Sequence, residues 1–462
     1  MQRRNFLKTS AIAGAGLSMG LSIARGAQAK GSDLIRVALV GCGNRGMGAV
    51  QQRLNVGDNM KLVAIADAIG VKAKNAYNAL NDLKEAPQYK DKIALTPDTV
   101  FVGFDAYKKA VDSCDQILLA TTPGFRPLQY KYAVEKGKNI FMEKPVCIDA
   151  PGYRMMMESN KLADEKGLVV VVGLQRHYED RYLEWMEKYK SGLMGDLICS
   201  RVYWNGGNTW ERPRMENDTE MAFQMRNWYH FVWISGDNIN EQHVHNIDIA
   251  NWVHGKGDPL CHPISAVGMG GRQIRTFPRF RNSGQRWDHF TIEYTYPDGS
   301  KMYSQSRHQG NTWAFVSEQF EGTKGYGEIG ENRDGGWIKE RGTNKELWRF
   351  DAAAKKRIQP FQQEHNEAVR FIREGIKHND AWYGATSSFT AAFGRYAAYS
   401  GQKLTWDEVV AKGRPEFPIG GVADLNQDPP VMPDTEPPVV PDEEDILYEN
   451  SVPLPGIWKW SE

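Results

Sequence analysis

Between residues 35 and 175 the chain repeats one pattern: a short run that is apolar at nearly every position, then a longer stretch with apolar residues at helical spacing. The apolar runs fall at 35–40, 61–66, 116–120, 139–142 and 168–173. A strand that is apolar on both sides must be covered on both sides, so these runs predict a parallel sheet with helices on each face. That is a doubly wound α/β unit, expected over residues 33–175. From about Gly195 the pattern changes. Segments 197–204, 264–270, 290–296, 301–306, 314–321 and 328–330 alternate apolar and polar residues between turns such as Pro297-Asp298-Gly299-Ser300. Period-2 alternation predicts an open, mainly antiparallel sheet with one face turned to solvent or to a partner. Helical spacing returns at 362–376 and 387–400, so the second unit is expected to be α+β over 176–410. Residues 411–462 read as a proline-rich, acidic arm whose Trp458 and Trp460 predict that its end packs on the body.

Residues 1–30 lie outside both patterns. A basic start, Arg3-Arg4-Asn5-Phe6-Leu7-Lys8, precedes a weakly apolar, glycine-rich run and then Ala27-Gln28-Ala29. This order predicts a signal peptide, and the adjacent arginines resemble the twin-arginine signal that exports folded proteins to the periplasm. The run is too short and too weak for stable membrane insertion. Over the full 462 residues, 41% are hydrophobic and 25% charged, with 57 Lys+Arg against 57 Asp+Glu. Zero net charge offers no field to attract nucleic acid. Five scattered cysteines without a C-x-x-C exclude a disulfide scaffold and a zinc-finger framework.

The chemistry begins at Gly41-Cys42-Gly43-Asn44-Arg45-Gly46, directly after the first strand and at the start of a helix, with Asp67 closing the next strand. In that context G-x-G-x-x-G predicts a Rossmann dinucleotide site. Gly41 permits the tight turn, Gly43 lets the backbone approach a pyrophosphate, and Gly46 lets helix and strand pack closely. The phosphates would rest on the helix N-terminus. Asp67 would accept the ribose hydroxyls and favour NAD over NADP, while Arg45 leaves NADP possible. Cys42 reads as structural.

Two further signals follow. Met142-Glu143-Lys144-Pro145 comes straight after a strand, where a doubly wound sheet carries its ligand-binding residues. The segment from Asn240 to Val253 has helical spacing that would put Glu241, His245 and Asp248 on one face. On such a helix His243 and His245 point about 200° apart, so no shared metal is expected. His245 is then the acid/base candidate, with a pKa ordinarily near working pH.

GCGNRG, the strand ending in Asp67, Thr121-Thr122-Pro123 after a strand, E-K-P, Gly173-Leu174-Gln175-Arg176 and Glu-x-x-x-His-x-x-Asp occur in this order. Together they resemble the glucose–fructose oxidoreductase / inositol dehydrogenase (Gfo/Idh/MocA) family over about residues 33–410. The resemblance implies a Rossmann domain followed by a domain on an open sheet whose outer face forms a homo-oligomer interface. It implies cofactor contacts from Gly41, Cys42, Gly43, Asn44, Arg45, Gly46, Asp67, Thr121, Thr122, Pro123, Arg126, Glu143, Lys144 and Gln175. It also implies that Lys144 polarises a substrate hydroxyl, His245 removes its proton and Glu241 steers both. Arg176, Tyr178, Trp228, His243 and Asp248 would meet the substrate. This chain departs from the family's usual pattern in Glu241 for aspartate, in the extra His243, and in Arg126 where a histidine is common.

Residues 176–233 are rich in tryptophan, tyrosine and arginine, including Tyr203, Trp204, Trp210, Trp228, Tyr229, Trp233, Arg212 and Arg226. Flat rings and forked donors suit a carbohydrate. The expectation is thus an exported NAD(P)-dependent oxidoreductase acting on a hydroxyl of a sugar or glycoside. The alternatives are an NAD-dependent glycosidase working by oxidation, elimination and reduction, and a non-catalytic carbohydrate-binding protein. An exported enzyme without a free nicotinamide pool would need to retain its cofactor, and the arm after Glu416 is the expected cover.

Overall fold

The computed structural model describes residues 34–274, 284–330, 335–353, 358–432, 455–456 and 458–461. The proposed signal peptide and the acidic cluster at 442–445 lie outside the described residues.

The first domain alternates β1 (Ile35–Val40), α1 (Asn44–Leu54), β2 (Met60–Asp67), α2 (Gly70–Leu83), β3 (Val100–Val102), α3 (Ala106–Ser113), β4 (Gln116–Leu119), α4 (Arg126–Glu135), β5 (Asn139–Met142), α5 (Ala150–Lys166) and β6 (Val169–Val172). Every position of β4 and β6 is buried, as continuous apolar runs require. β3 has three residues and only half-buried packing, too faint a pattern to show in the sequence.

After α6 (Asp180–Lys190) the second sheet begins with β7 (Leu197–Gly206). A helical excursion follows: α7 (Glu220–Arg226), α8 (Val232–Ser235), α9 (Asp237–Glu241) and α10 (Val244–His254). The sheet continues with β8 (Ser265–Gly271), β9 (His289–Thr295), β10 (Lys301–His308), β11 (Phe315–Gly322), β12 (Gly325–Gly330), β13 (Trp337–Glu340) and β14 (Glu346–Arg349). Its nine-strand order is β14-β13-β12-β11-β7-β10-β9-β8-β16, where β16 is Leu404–Thr405 and β15 is His378–Asn379. The pairs are antiparallel except β7 with β10, which the long excursion makes parallel.

The boundary expected at residue 175 is crossed twice. The helix Pro360–Glu374 packs on α1, and β15 adds itself beside β6 as the edge strand of the seven-stranded first sheet, order β15-β6-β5-β4-β1-β2-β3. From that edge the helix Ala381–Ser400 runs under the second sheet. There Gly394 meets Tyr294, whose hydroxyl donates to the Thr390 carbonyl at 3.0 Å. This helix fastens the two sheets together, and its apolar residues share one core with both. The chain end packs on it as well: Trp458 lies 5.5 Å from Tyr396 and 5.3 Å from Tyr399 between ring centres.

Candidate functional site

The glycine loop between β1 and α1 is built for close approach. Gly41 has φ +98°, and a Cβ there would lie 2.6 Å from the Ala120 backbone. A Cβ on Gly46 would stand 2.0 Å from the Gly41 carbonyl oxygen, so helix and strand pack too closely for any side chain. Gly43 has nothing within 4 Å of its missing Cβ. It is the N-cap of α1 with no side-chain cap, and the first turn carries no acidic residue, so the leading N–H groups face open space. Asp67 pins the loop: its two carboxylate oxygens accept from the backbone N–H of Cys42 and of Ile69, each at 2.8 Å. Burial pushes the Cys42 thiol up, which keeps it protonated and inert beside the Ala66 carbonyl.

A cavity of about 650 Å³ opens over this loop. It is walled by Gly41–Arg45, Asp67, Lys72, Phe104, Thr121 and Thr122 from the first domain, and by Trp210, Arg212, Met225, Arg226 and Trp228 from the second. The buried Thr122 hydroxyl has no partner among the described residues, whereas the Thr121 hydroxyl donates to Gln129 at 2.6 Å. Open space above Gly43, an uncapped helix end and an unpaired hydroxyl fit a dinucleotide.

The E-K-P motif sits at the carboxyl end of β5, in register with the end of β4 that carries Thr121. Lys144 reaches across to the second domain. Its ammonium donates to a Glu241 carboxylate oxygen at 2.9 Å and to the Glu241 backbone carbonyl. That carbonyl is the loose end of α9, where a cation is favoured. Burial pushes the Glu241 carboxyl above the usual carboxylate range, and the Lys144 charge partly offsets this. His245 lies one turn further on, with Trp204 stacked 5.9 Å away. Its Nδ1 is buried without a partner among the described residues. Burial, then the Lys144 and Arg176 charges, hold the imidazole well below its ordinary pKa. His245 is therefore neutral at working pH, in place of the poised titration expected from sequence.

Residues 35–174 match the model of an oxidoreductase family with an NAD-binding Rossmann fold. Over these residues the chain is similar to the Gfo/Idh/MocA family. The inositol 2-dehydrogenase of Gluconacetobacter diazotrophicus is 26% identical over 217 residues, covering 46% of this chain and 54% of that protein. The chain thus spans about half the length of the curated relatives it matches. Among solved structures, the aldose-aldose oxidoreductase of Caulobacter crescentus superposes with a TM-score of 0.60 at 15% identity, over 80% of this chain and 99% of that one. The scyllo-inositol dehydrogenase of Lactobacillus casei, solved with NAD(H) and scyllo-inositol, gives 0.57 at 17% identity over 82% and 99%. Both share the two-sheet fold.

Several residues expected at the site have partners within the protein. The predicted single helix carrying Glu241, His245 and Asp248 is broken: α9 ends at Glu241 and α10 starts at Val244. Arg45 lines the cavity and is already engaged within the protein. Its guanidinium bonds Glu143 at 2.5 Å and Glu364 at 3.2 Å and lies over Phe361, linking the glycine loop to E-K-P. Arg126 is buried and staples the Leu119 and Thr121 carbonyls, its pKa pushed down to about 10 by burial. Arg176 is paired with Glu318, and Tyr178 donates to Asp380 at 2.5 Å. His243 bonds Ser304 at 2.8 Å, and Asp248 holds His177 at 2.7 Å and Ser387 at 2.8 Å. These four support the inner face of the second sheet and the domain seam. Gln175 keeps a buried carbonyl oxygen without a partner among the described residues. Pro123 opens the short turn before α4. Trp228, expected at the substrate, lines the dinucleotide cavity.

Lys72 and Gln129 went unread in the sequence because each sits on a helix with no motif of its own. No described residue of the arm lines the cavity, and the stretch 416–432 lies outside it. It braces α7 from outside, through the Leu425 carbonyl to Thr219 at 2.5 Å and the Val431 carbonyl to Gln224 at 2.7 Å. No helix among the described residues is long and apolar enough to cross a membrane.

Proposed function

We propose that the protein is an NAD-dependent dehydrogenase acting on a hydroxyl of a sugar, polyol or glycoside. The observation that carries this is the convergence of Lys144, Glu241 and His245 at the end of β5, beside a cavity suited to a dinucleotide. When bound, NAD supplies an acceptor for the hydride of the carbinol carbon. Lys144, oriented by Glu241, donates to the substrate oxygen and stabilises the negative charge that grows on it. His245, kept neutral by burial, accepts the hydroxyl proton, and Glu241 holds the ammonium in place through both of its contacts. The carbohydrate class rests on the names of the relatives and on the rings of Trp204 and Tyr229 near the Lys144–Glu241 pair.

The test is a panel of sugars, inositols and glycosides offered to the full-length protein with NAD, following NADH formation and aglycone release together. NADH formed from at least one cyclic substrate, and lost in Lys144→Met, is the expected result. Aglycone release without net NADH would replace dehydrogenase by redox-neutral glycosidase. No nicotinamide binding at all would leave a carbohydrate-binding protein.

We also propose export to the periplasm by the twin-arginine route, supported by Arg3-Arg4 and the A-x-A end. Changing Arg3 and Arg4 to lysine should strand the protein in the cytoplasm; unchanged export would defeat the proposal. A homo-oligomer through the outer face of the second sheet is proposed on the exposed Met269, Tyr303 and Val267 of that face.

A further inference from the structure

The dinucleotide cavity has a wall that no Rossmann motif encodes. The chain leaves β7 at Gly206, crosses the mouth of the cavity through residues 207–219, and returns in α7 toward Trp228. This crossing carries Trp210 and Arg212 to the cavity that Asp67 and Lys72 line from the first domain. It is anchored at several points away from the cavity. Thr209 accepts from Arg286 at 2.8 Å, the Trp210 carbonyl meets His230 at 2.7 Å, and the Arg212 N–H donates to Asn227 at 3.1 Å. Met225 at its return belongs to an apolar cluster with Ile69, Phe104 and Phe125 of the first domain. The crossing is therefore held in place before any ligand arrives.

The charges at this wall are unbalanced. Arg226 is neutralised by Asp218. Arg212 lies over the Trp210 ring, 5.4 Å from its centre, and has no ion pair among the described residues. Lys72 lines the same cavity and has no ion pair within 4.0 Å among the described residues. Burial lowers the Lys72 pKa; Asp67 pulls it back, and Arg212 and Arg226 are near enough to push it further down. The Asp67 carboxylate, meanwhile, is occupied by two backbone N–H groups. Among the lining residues Asp67 is thus the one carboxylate set against both Lys72 and Arg212, an excess of positive charge that a ligand bearing phosphate oxygens would relieve.

We propose that Arg212, together with Lys72, binds the anionic part of the dinucleotide, and that the 207–228 crossing is the second-domain wall that slows its escape. This rests on the dehydrogenase reading only in needing a dinucleotide in the cavity. Release then requires the crossing to lift from the apolar cluster, so the effect is on dissociation more than on encounter. The arm after Glu416 acts one layer further out, as the brace of α7.

The experiment measures NADH dissociation from the full-length protein by loss of bound-NADH fluorescence on mixing with excess NAD. Wild type, Arg212→Ala, Arg212→Lys and Lys72→Ala are compared. Arg212 is exposed, so its truncation opens no core cavity, and unchanged melting of each cofactor-free variant checks this. The expected result is dissociation at least about tenfold faster in Arg212→Ala, the size of one lost charge-assisted contact, with most of the effect restored in Arg212→Lys. Less nicotinamide per chain should also be recovered after purification of Arg212→Ala. Dissociation within about twofold of wild type in both alanine variants, in a protein that does bind NADH, would overturn this proposal and leave the functional reading intact. A wild type that binds no NADH would overturn both.

Discussion

Along β4 and β6 of the first sheet every residue is buried, whereas along β9 and β10 of the second buried positions alternate with exposed or half-exposed ones. The first sheet is covered by helices on both faces, and Gly41, Asp67, Thr121 and Lys144 gather at its carboxyl edge. The second sheet has a covered inner face, with Ser304, Ser306 and His308, and an outer face showing Met269 and Tyr303. Its contribution to the site comes from neither face. It comes from the 206–254 excursion that the parallel β7–β10 connection makes necessary. Lys144 from one sheet meets Glu241 from the excursion of the other, so the proposed centre lies at the seam.

The largest effect expected from breaking that seam is on turnover. Lys144→Met and His245→Ala should each lower it by about 10²–10⁴-fold, as for acid–base groups, with NADH affinity unchanged by titration. Near-wild-type turnover in either would remove the residue from the chemistry.

The difference between the sheets themselves is sharpened by truncation. Leu118→Ala in fully buried β4 should cost about 2–5 kcal/mol in denaturant unfolding, while Met269→Ala on the outer face should stay within about 0.5 kcal/mol. A comparable loss at Met269 would mean that its face is covered in solution, and light scattering would then report an oligomer.

A smaller contrast lies in two histidines of opposite sign. At the edge of the first sheet, burial lowers His378 but its 2.6 Å contact with Asp380 more than offsets this, so its pKa is raised. Its stabilisation is present below about pH 6.5 and lost as pH rises through the folded value. His254, stacked on Tyr296 between Ser200 and Ser300, is pushed down to about 3 by burial. The unfolded chain binds the proton first there, so His254 costs stability as pH falls below about 6.5. Melting curves of His378→Gln should show a larger deficit at acid than at alkaline pH, and those of His254→Gln the reverse. Parallel pH trends in the two variants would refute the assignment.

Much of the first domain was legible because its signals are local. Strand, glycine turn and helix follow one another within a dozen residues, and Asp67 and E-K-P close strands that are apolar throughout. The second sheet was legible as alternation, yet β13 and β14, four residues each, lie below the length at which alternation speaks. The helix expected to carry Glu241, His245 and Asp248 failed at Gln242–His243, where Lys144, 97 residues away, takes the Glu241 carbonyl. Arg45, Arg126 and Arg176 read as ligand-binding cations, but Arg45 and Arg176 pair with carboxylates from distant elements and Arg126 turns back on the carbonyls at the end of β4.

By itself the sequence determined the order of the two domains, the glycine loop and its acidic strand end, and the pairing of a lysine with a histidine and an acid as candidate chemistry. These rest on backbone geometry and hydrophobic periodicity, which a short window contains. Only the tertiary structure decided which cations are spent on internal partners and which remain facing the cavity. It also decided that His245 is neutral and that Arg212 and its neighbours line the same cavity as Asp67. Burial and charge balance are sums over residues brought together from 72 to 228 and beyond, and no window of sequence contains that sum.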